Sequence, residues 1–301
     1  MTISQSPLIS IIVNCYNGEK YLAQALECIL KQTYKKWEVI FWDNQSTDKS
    51  VDIFKTYQDE RFRYFYAEKH TSLYEARNLA IEKSKGDFIS FLDTDDLWHE
   101  NKLSLQIPYF KNIEVGVVYS NLWLIKKSEK VKRLYSKKKL PNGKIFDELI
   151  NNYNVGILTA LIRKKYYMDL ETKFDSRLSI IGDFDLILRL SKLCIFESIQ
   201  EPLASYRLHG KNLSTVKKEK EIEEYKIWLK ENNCNLDSFH INKIKESVSY
   251  RKFVNYKIDG KYFECFKMIF NSKINKLYFK KLIIFIMPII ILKKIFWYHQ
   301  D

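Results

Sequence analysis

Residues 87–96 read Asp87-Phe-Ile-Ser-Phe-Leu-Asp93-Thr-Asp95-Asp96, and this stretch decides the fold. Phe88 to Leu92 is an apolar run of the kind that forms a buried strand. It stops at three carboxylates, Asp93, Asp95 and Asp96, which Leu97 and Trp98 follow. Unpaired buried charges are costly, and like charges this close repel one another. A divalent cation answers both problems. Mg²⁺ and Mn²⁺ favour oxygen ligands, and Mg²⁺ commonly takes one or two carboxylates plus substrate phosphates. Strand ends on an open α/β sheet are also where ligands sit. The competing reading is a solvated acidic turn, with Asp96 as the N-cap of a following helix.

Upstream of this stretch, strand and helix alternate. Leu8–Val13 is a buried-strand run that ends in the polar turn Asn14-Cys15-Tyr16-Asn17-Gly18-Glu19. Tyr21 to Tyr34 has apolar residues at helical spacing. Trp37–Trp42 is a second strand, ending in Asp43-Asn44-Gln45-Ser46-Thr47-Asp48. A helix to about Tyr57 follows, with Ser46 or Thr47 as its expected cap. Phe62–Tyr66 reads as a third strand and Ser72–Ser84 as a helix stopped by Gly86. The alternation predicts βαβ units, a mostly parallel sheet and right-handed crossovers. The polar ends at Asn14, Asp43 and Asp93 then share one sheet edge and converge on one crevice.

Composition bounds what such a crevice serves. The chain has 301 residues, of which 46% are hydrophobic, enough for a sizeable core. A net charge of +13 points to an anionic partner: nucleic acid, a phosphorylated substrate or a membrane surface. The five cysteines lack C-x-x-C spacing, which argues against a zinc site and fits a reducing cytosol. Met1–Pro7 is polar and has no secretory h-region. Neither G-x-G-x-x-G after the first strand nor G-x-x-x-x-G-K-[ST] occurs. A bound nucleotide would therefore have its phosphates neutralised by a metal and by side chains such as Arg77. Tyr16 either stacks on a base or covers the sheet edge. Asp43 either accepts a hydrogen bond from a base or ribose or forms an Asx turn.

The ordered set of motifs resembles family 2 glycosyltransferases with the GT-A fold. It comprises Ser10-Ile-Ile-Val-Asn-Cys-Tyr-Asn-Gly-Glu-Lys-Tyr-Leu, Gln32-Thr-Tyr, Trp37-Glu-Val-Ile-Phe-Trp-Asp-Asn-Gln-Ser-Thr-Asp and Ala76-Arg-Asn. It continues with Gly86 to Trp98, Lys102-Leu, Gly182-Asp-Phe-Asp-Leu-Ile-Leu-Arg-Leu and Tyr206-Arg-Leu-His-Gly-Lys-Asn-Leu-Ser. The likeness spans residues 8–215. It implies an α/β, Rossmann-like domain with a mixed, mostly parallel sheet flanked by helices. It also implies an inverting, metal-dependent transfer of sugar from a nucleoside diphosphate. By that resemblance Asn14, Tyr16, Asp43 and Arg77 line the nucleotide site. Asp93 and Asp95 match the D-x-D pair that sets Mg²⁺ or Mn²⁺ against the diphosphate, with Asp96 as a further acid and His209 near the metal or diphosphate. Asp183 matches the catalytic acid position, where the family often has Glu-Asp; here Gly182 replaces the Glu.

The chemistry asks for the same groups. A departing diphosphate needs its charge stabilised, which a metal does as a Lewis acid. An acceptor hydroxyl needs a base, for which one carboxylate suffices. A single base with no second nucleophile implies one displacement and inversion. Asp183 has an alternative role, since Asp183 and Asp185 open an amphipathic helix, where acids complement the dipole.

Farther on, Val115–Ile125 reads as a long strand, Ile157–Ile162 as an apolar segment, which by the resemblance faces the acceptor, and Ile195–Tyr206 as a strand. Lys137-Lys138-Lys139 is either a solvated loop or a hold on an anionic acceptor. The loop around His209 suits phosphate and can act as a lid. The character changes after Val216, so the expected organisation is a catalytic domain over 1–215 and a helical C-terminal extension over 216–301. Within it, Leu282–Leu292 is too short to span a bilayer, and Pro288 would kink it. Lysine pairs and aromatic residues make 280–298 a membrane-interface segment or, alternatively, a docked helix. The leading expectation is a cytoplasmic, peripheral enzyme of surface-polysaccharide synthesis. By the resemblance its donor would be a UDP-sugar and its acceptor a glycan or a lipid-linked molecule. Oligomeric state is left open. A nucleotide-sugar binding module without turnover and a basic nucleic-acid-binding protein are the alternatives. No basic-aromatic motif supports the second, so nucleic acid is not the expected partner.

Overall fold

The computed structural model describes residues 6–126 and 131–295. These divide between Leu208 and His209 into two compact units.

The first unit opens with β1 (Ile9–Cys15), α1 (Leu22–Leu30), β2 (Trp37–Asp43), α2 (Ser50–Lys55), β3 (Phe62–Tyr66), α3 (Leu73–Glu82) and β4 (Phe88–Phe91). β1, β2 and β4 are buried nearly throughout, as their continuous apolar runs require. β3 lies at the edge of the sheet and is half-exposed. Strands β3-β2-β1-β4 are neighbours in that order and all parallel. The register pairs Cys15 with Asp43 and Ile12 with Phe91, so the polar ends of β1, β2 and β4 do share one edge. The strand order reverses between β1 and β4, the switch point where open α/β sheets leave a crevice.

The remaining elements of this unit are β5 (Leu97–Trp98), α4 (Lys102–Gln106), β6 (Val115–Ile125), β7 (Lys132–Leu134), α5 (Phe146–Asn151), β8 (Leu161–Arg163), α6 (Lys164–Met168), α7 (Gly182–Leu193) and β9 (Ile195–Arg207). They extend the sheet in the order β4-β8-β6-β9-β5, with β7 on β6. β8 runs antiparallel to both β4 and β6, whereas β9 is parallel to β6, so the sheet is mixed. A buried polar network braces this half. Lys102 Nζ donates to Ser90 Oγ at 3.1 Å and to Gln106 Oε1 at 2.9 Å, and lies over the Trp98 ring. Gln106 donates to the carbonyls of Val118 and Thr159, and Trp98 Nε1 to that of Leu158. Burial pushes the Lys102 ammonium well below its usual pKa.

Two local expectations are corrected. Asp96 caps no helix, because Leu97–Trp98 is a strand paired antiparallel with Ser205 and Ala204. Neither Ser46 nor Thr47 caps α2, whose N-cap position is Lys49. Their polar groups are engaged across the crevice edge instead.

The second unit is helical: α8 (Leu213–Val216), α9 (Lys218–Asn232), α10 (Ser238–Ile258), α11 (Tyr262–Phe270), α12 (Lys276–Ile286) and α13 (Ile289–Ile295). Asp237 caps α10 by accepting from His240 N–H. Phe253 and Val254 of α10 form a core with Cys265, Ile269, Ile284 and Leu292. The apolar run 282–292 is broken at Met287-Pro288 into two helices, and only Ile284 and Leu292 of its residues are buried. Among the described residues no helix is long and apolar enough to cross a membrane. Phe296, Trp297 and Tyr298, the end of the expected interface segment, lie outside the described residues.

Candidate active site

The turn after β1 and the turn after β2 are laced together. Asn17 takes a left-handed φ of 55°, which asparagine tolerates, and its Oδ1 accepts from Thr47 N–H at 2.8 Å. In return Ser46 Oγ accepts from Asn17 N–H and Ser50 Oγ from Gly18 N–H, both at 3.0 Å. Glu19 N–H donates to Asp48, and Lys49 N–H to Glu19. The β1 turn also presses on the acidic loop: a Cβ on Gly18 would stand 2.8 Å from Thr94 Oγ1. Tyr16 projects from this braced turn, 55% exposed, with its ring 4.4 Å from that of His70. His70 is anchored in turn through Nδ1, 2.8 Å from the Asn44 carbonyl. Asn14 lies at the switch point with Nδ2 buried and without a hydrogen-bond partner.

Asp43 is fully buried at the end of β2. Its Oδ1 accepts from Ser46 N–H and its Oδ2 from Tyr64 Oη, both at 2.8 Å. Asn44 is equally engaged, donating to the Thr71 carbonyl and accepting from Thr71 N–H. Both side chains therefore shape the turn that carries the crevice edge.

In the acidic loop, Asp93 and Asp95 are half-exposed and Asp96 is buried. Asp96 Oδ1 accepts from Arg207 N–H at 2.9 Å, while Oδ2 is buried without a partner. Burial, then the charges of Asp95 and Asp93, raise its pKa well above the usual carboxylate range. Arg207 also donates from Nε to the Asp95 carbonyl and from Nη2 to Gln24 Oε1, fastening the loop to β9 and α1.

Arg77 joins this loop to α7. It is buried, and its guanidinium lies 5.4–5.7 Å from the rings of Phe91, Tyr74 and Phe174. Nη2 donates to Asp93 Oδ1 at 2.8 Å. Burial alone would lower the guanidinium pKa, but the charge of Asp93, supported by Asp183, outweighs it. Asp183, in the first turn of α7, has its pKa raised by burial, and the Arg77 charge pulls it back. Its Oδ1 accepts from Phe184 N–H at 2.8 Å and lies 3.5 Å from Tyr74 Oη. The neighbouring Asp185 is paired with Arg189 at 2.6 Å. Gly182 lies flat against Tyr74, where a Cβ would come within 2.6 Å of the ring.

The first unit thus brings Asn14, Tyr16, Asp43, Arg77, Asp93, Asp95 and Asp96 to one edge. Asp183 lies within electrostatic reach of Arg77 and Asp93. His209 belongs to the second unit, where its N–H donates to Asn212 Oδ1 at 2.6 Å. Sequence reasoning gave no role to His70, Tyr74 or Arg207. Only Arg207 carried a signal, as part of Tyr206-Arg-Leu-His-Gly.

Among the described residues no group of three or more His, Cys, Asp or Glu side chains forms a ready metal cage. The donor set nevertheless fits a hard cation. Asp96 Oδ2 is orphaned beside two other carboxylates, and Mg²⁺ needs only one or two of these when substrate phosphates complete its shell.

The family model of glycosyl transferase family 2 matches residues 10–170. The UDP-Glc:alpha-D-GlcNAc-diphosphoundecaprenol beta-1,3-glucosyltransferase WfgD of Escherichia coli is 29% identical over 189 residues, 58% of this chain and 73% of that protein. The amylovoran biosynthesis glycosyltransferase AmsB of Erwinia amylovora is 28% identical over 262 residues, 84% of this chain and 85% of that one. Among solved structures, S. aureus TarS 1–349 in complex with UDP superposes with a TM-score of 0.65. It is 20% identical and covers 88% of this chain and 75% of that one, which bears out the GT-A architecture. The chain belongs to glycosyl transferase family 2. Family and fold together make it a transferase.

Proposed function

We propose that this protein transfers a sugar from a UDP-sugar to a hydroxyl of a glycan or lipid-linked acceptor, with inversion, during cell-surface polysaccharide synthesis. The observation that carries the reading is Arg77, a buried guanidinium bonded to Asp93 and electrostatically coupled to Asp183. It links the loop suited to a diphosphate with a carboxylate suited to a base. The names of relatives support the rest: WfgD acts from UDP-Glc on a diphosphoundecaprenol-linked sugar, and TarS is seen with UDP.

In this reading the uracil ring stacks on Tyr16, and the ribose lies over the laced turns beside Asp43 and Asn14. Asp95 and Asp96, beside Asp93, are the residues that would hold Mg²⁺ or Mn²⁺. When bound, that ion neutralises charge on the departing diphosphate as a Lewis acid. Asp183 accepts the proton of the acceptor hydroxyl. The freed oxygen bonds the anomeric carbon on the face opposite UDP, as the bond from that carbon to the diphosphate oxygen breaks. Burial suits Asp183 to this task by raising its basicity, while the Arg77 charge opposes that rise. The reaction would take place at the cytoplasmic face of the membrane.

The test is calorimetric titration with UDP, with Mn²⁺ and then with EDTA, followed by transfer assays. Metal-dependent UDP binding is expected. Asp183→Asn should retain that binding and lose transfer by about 10²- to 10⁴-fold. Failure of every nucleoside diphosphate to bind, or full transfer by Asp183→Asn, would overturn the reading.

A further inference from the structure

We infer that α11, α12 and α13 present a docking face for an anionic lipid bilayer. The face extends well beyond the apolar run 282–292 that the sequence marks. Each helix buries one stripe against the α10 core, through Cys265 and Ile269, through Ile284, and through Leu292. The opposite stripe of each is bare. On α11, Phe263, Phe266 and Phe270 recur at helical spacing, with Phe263 75% and Phe270 80% exposed. On α12 the bare residues are Ile283 and Ile286, the latter 79% exposed, and on α13 Ile290 is 66% exposed. Soluble surfaces rarely leave so many large apolar side chains together.

The orientation of α12 is fixed by two buried lysines. Lys281 Nζ donates to Ser249 and Ser272 Oγ, each at 3.0 Å, and Lys257 Nζ to the Phe285 carbonyl at 2.7 Å. The bare stripe of α12 is therefore a settled feature of the packing.

Charge selects the occupant. From Tyr262 to Ile295 the chain carries seven lysines and one acid, Glu264. Only Lys281 of the seven is buried; Lys293 is half-exposed and the other five are exposed, on the same stretch of chain as the bare apolar residues. A second copy would set lysines against lysines. Anionic headgroups complement them, while the aromatic and aliphatic side chains enter the acyl boundary. Exposed apolar stripes on lysine-rich helices are the pattern of a helix lying in the interface, not of one crossing it.

The experiment is cosedimentation of the full-length chain with phosphatidylcholine vesicles, with and without phosphatidylglycerol, at low and high salt. Binding to the anionic vesicles, weakened by salt, is expected. Phe263→Glu combined with Phe270→Glu, and separately Ile286→Glu, should lower the partition coefficient by about tenfold or more. Circular dichroism and UDP binding, read on the same samples, should not change. UDP binding also separates this inference from the transfer reading, since either can fail alone. No binding to anionic vesicles would overturn it. So would a dimer that the same substitutions dissolve while vesicle binding stays intact, because the face would then belong to a second copy.

Discussion

Arg77 Nη2 donates to Asp93 Oδ1 across 2.8 Å, and the same buried guanidinium holds down the pKa of Asp183. One cation therefore orients an acid of the acidic loop and tunes the proposed base. The sign of its effect on rate follows. Burial raises the Asp183 carboxyl above its ordinary range, and only the ionised form accepts a proton, so kcat/KM should rise with pH through that raised value. Arg77→Met removes the charge that opposes burial and leaves the Asp93 charge, which adds to it. The acidic limb of the pH–rate profile should then move to higher pH. A limb that stays in place would mean that Asp183 is not the titrating base.

Asp95→Asn tests the acidic loop. Asp95 is half-exposed, so the change should leave the melting temperature nearly untouched. Transfer should fall on the order of a hundredfold or more, through lost charge stabilisation of the leaving diphosphate. Calorimetry should show UDP binding that no longer responds to Mn²⁺. Unchanged metal dependence would remove Asp95 from the metal site.

Tyr16 is 55% exposed and its ring leans on that of His70, which leaves ring surface open to a ligand. Tyr16→Ala should weaken UDP binding by about 5- to 100-fold, the range for losing one base–aromatic stack, without a change in thermal stability. His70→Ala should give a smaller loss, because His70 supports the Tyr16 ring at 4.4 Å. Equal UDP affinity in wild type and Tyr16→Ala would put the base elsewhere.

The sequence was most legible where apolar runs end in polar turns. Phe62–Tyr66 and Val115–Ile125 match their strands residue for residue, and the shared edge of β1, β2 and β4 followed from alternation alone. Relations between distant residues were not legible. The Arg207 N–H that holds Asp96 comes from 111 residues away, and no local pattern announces it. The competing reading set a helix after Asp96 because the strand partner of Leu97–Trp98, β9, lies about equally far along the chain. Gly182 read as a missing acid. Its physical sense appears only when the Tyr74 ring is seen to occupy the space a side chain would need.

Gly182→Ala makes that last point testable. The added methyl would meet a ring packed by Phe174 and bonded to the Ile180 carbonyl, so Tyr74 has little room to yield. A destabilisation of about 1–3 kcal/mol by chemical denaturation is expected. A neutral substitution would show that the α7 entry relaxes freely.

Glu38 offers a test of stability against pH at the far end of β2. Its carboxylate is 8% exposed and accepts from Ser10 Oγ at 2.7 Å, Lys85 N–H at 2.5 Å and Arg63 Nη1 at 2.6 Å. Burial works to raise its pKa, but these bonds together lower it below the usual glutamate value. A depressed folded-state pKa means that the stabilisation is present above the unfolded-state pKa and is lost as pH falls through the folded one. Glu38→Gln keeps the size and removes the charge, so near neutrality it should cost about 1–3 kcal/mol. Below the glutamate range, wild type and variant should converge as the wild-type carboxylate protonates. Urea denaturation at neutral and acidic pH measures both gaps. A gap that stays constant between the two would show that Glu38 acts through shape and not through its charge.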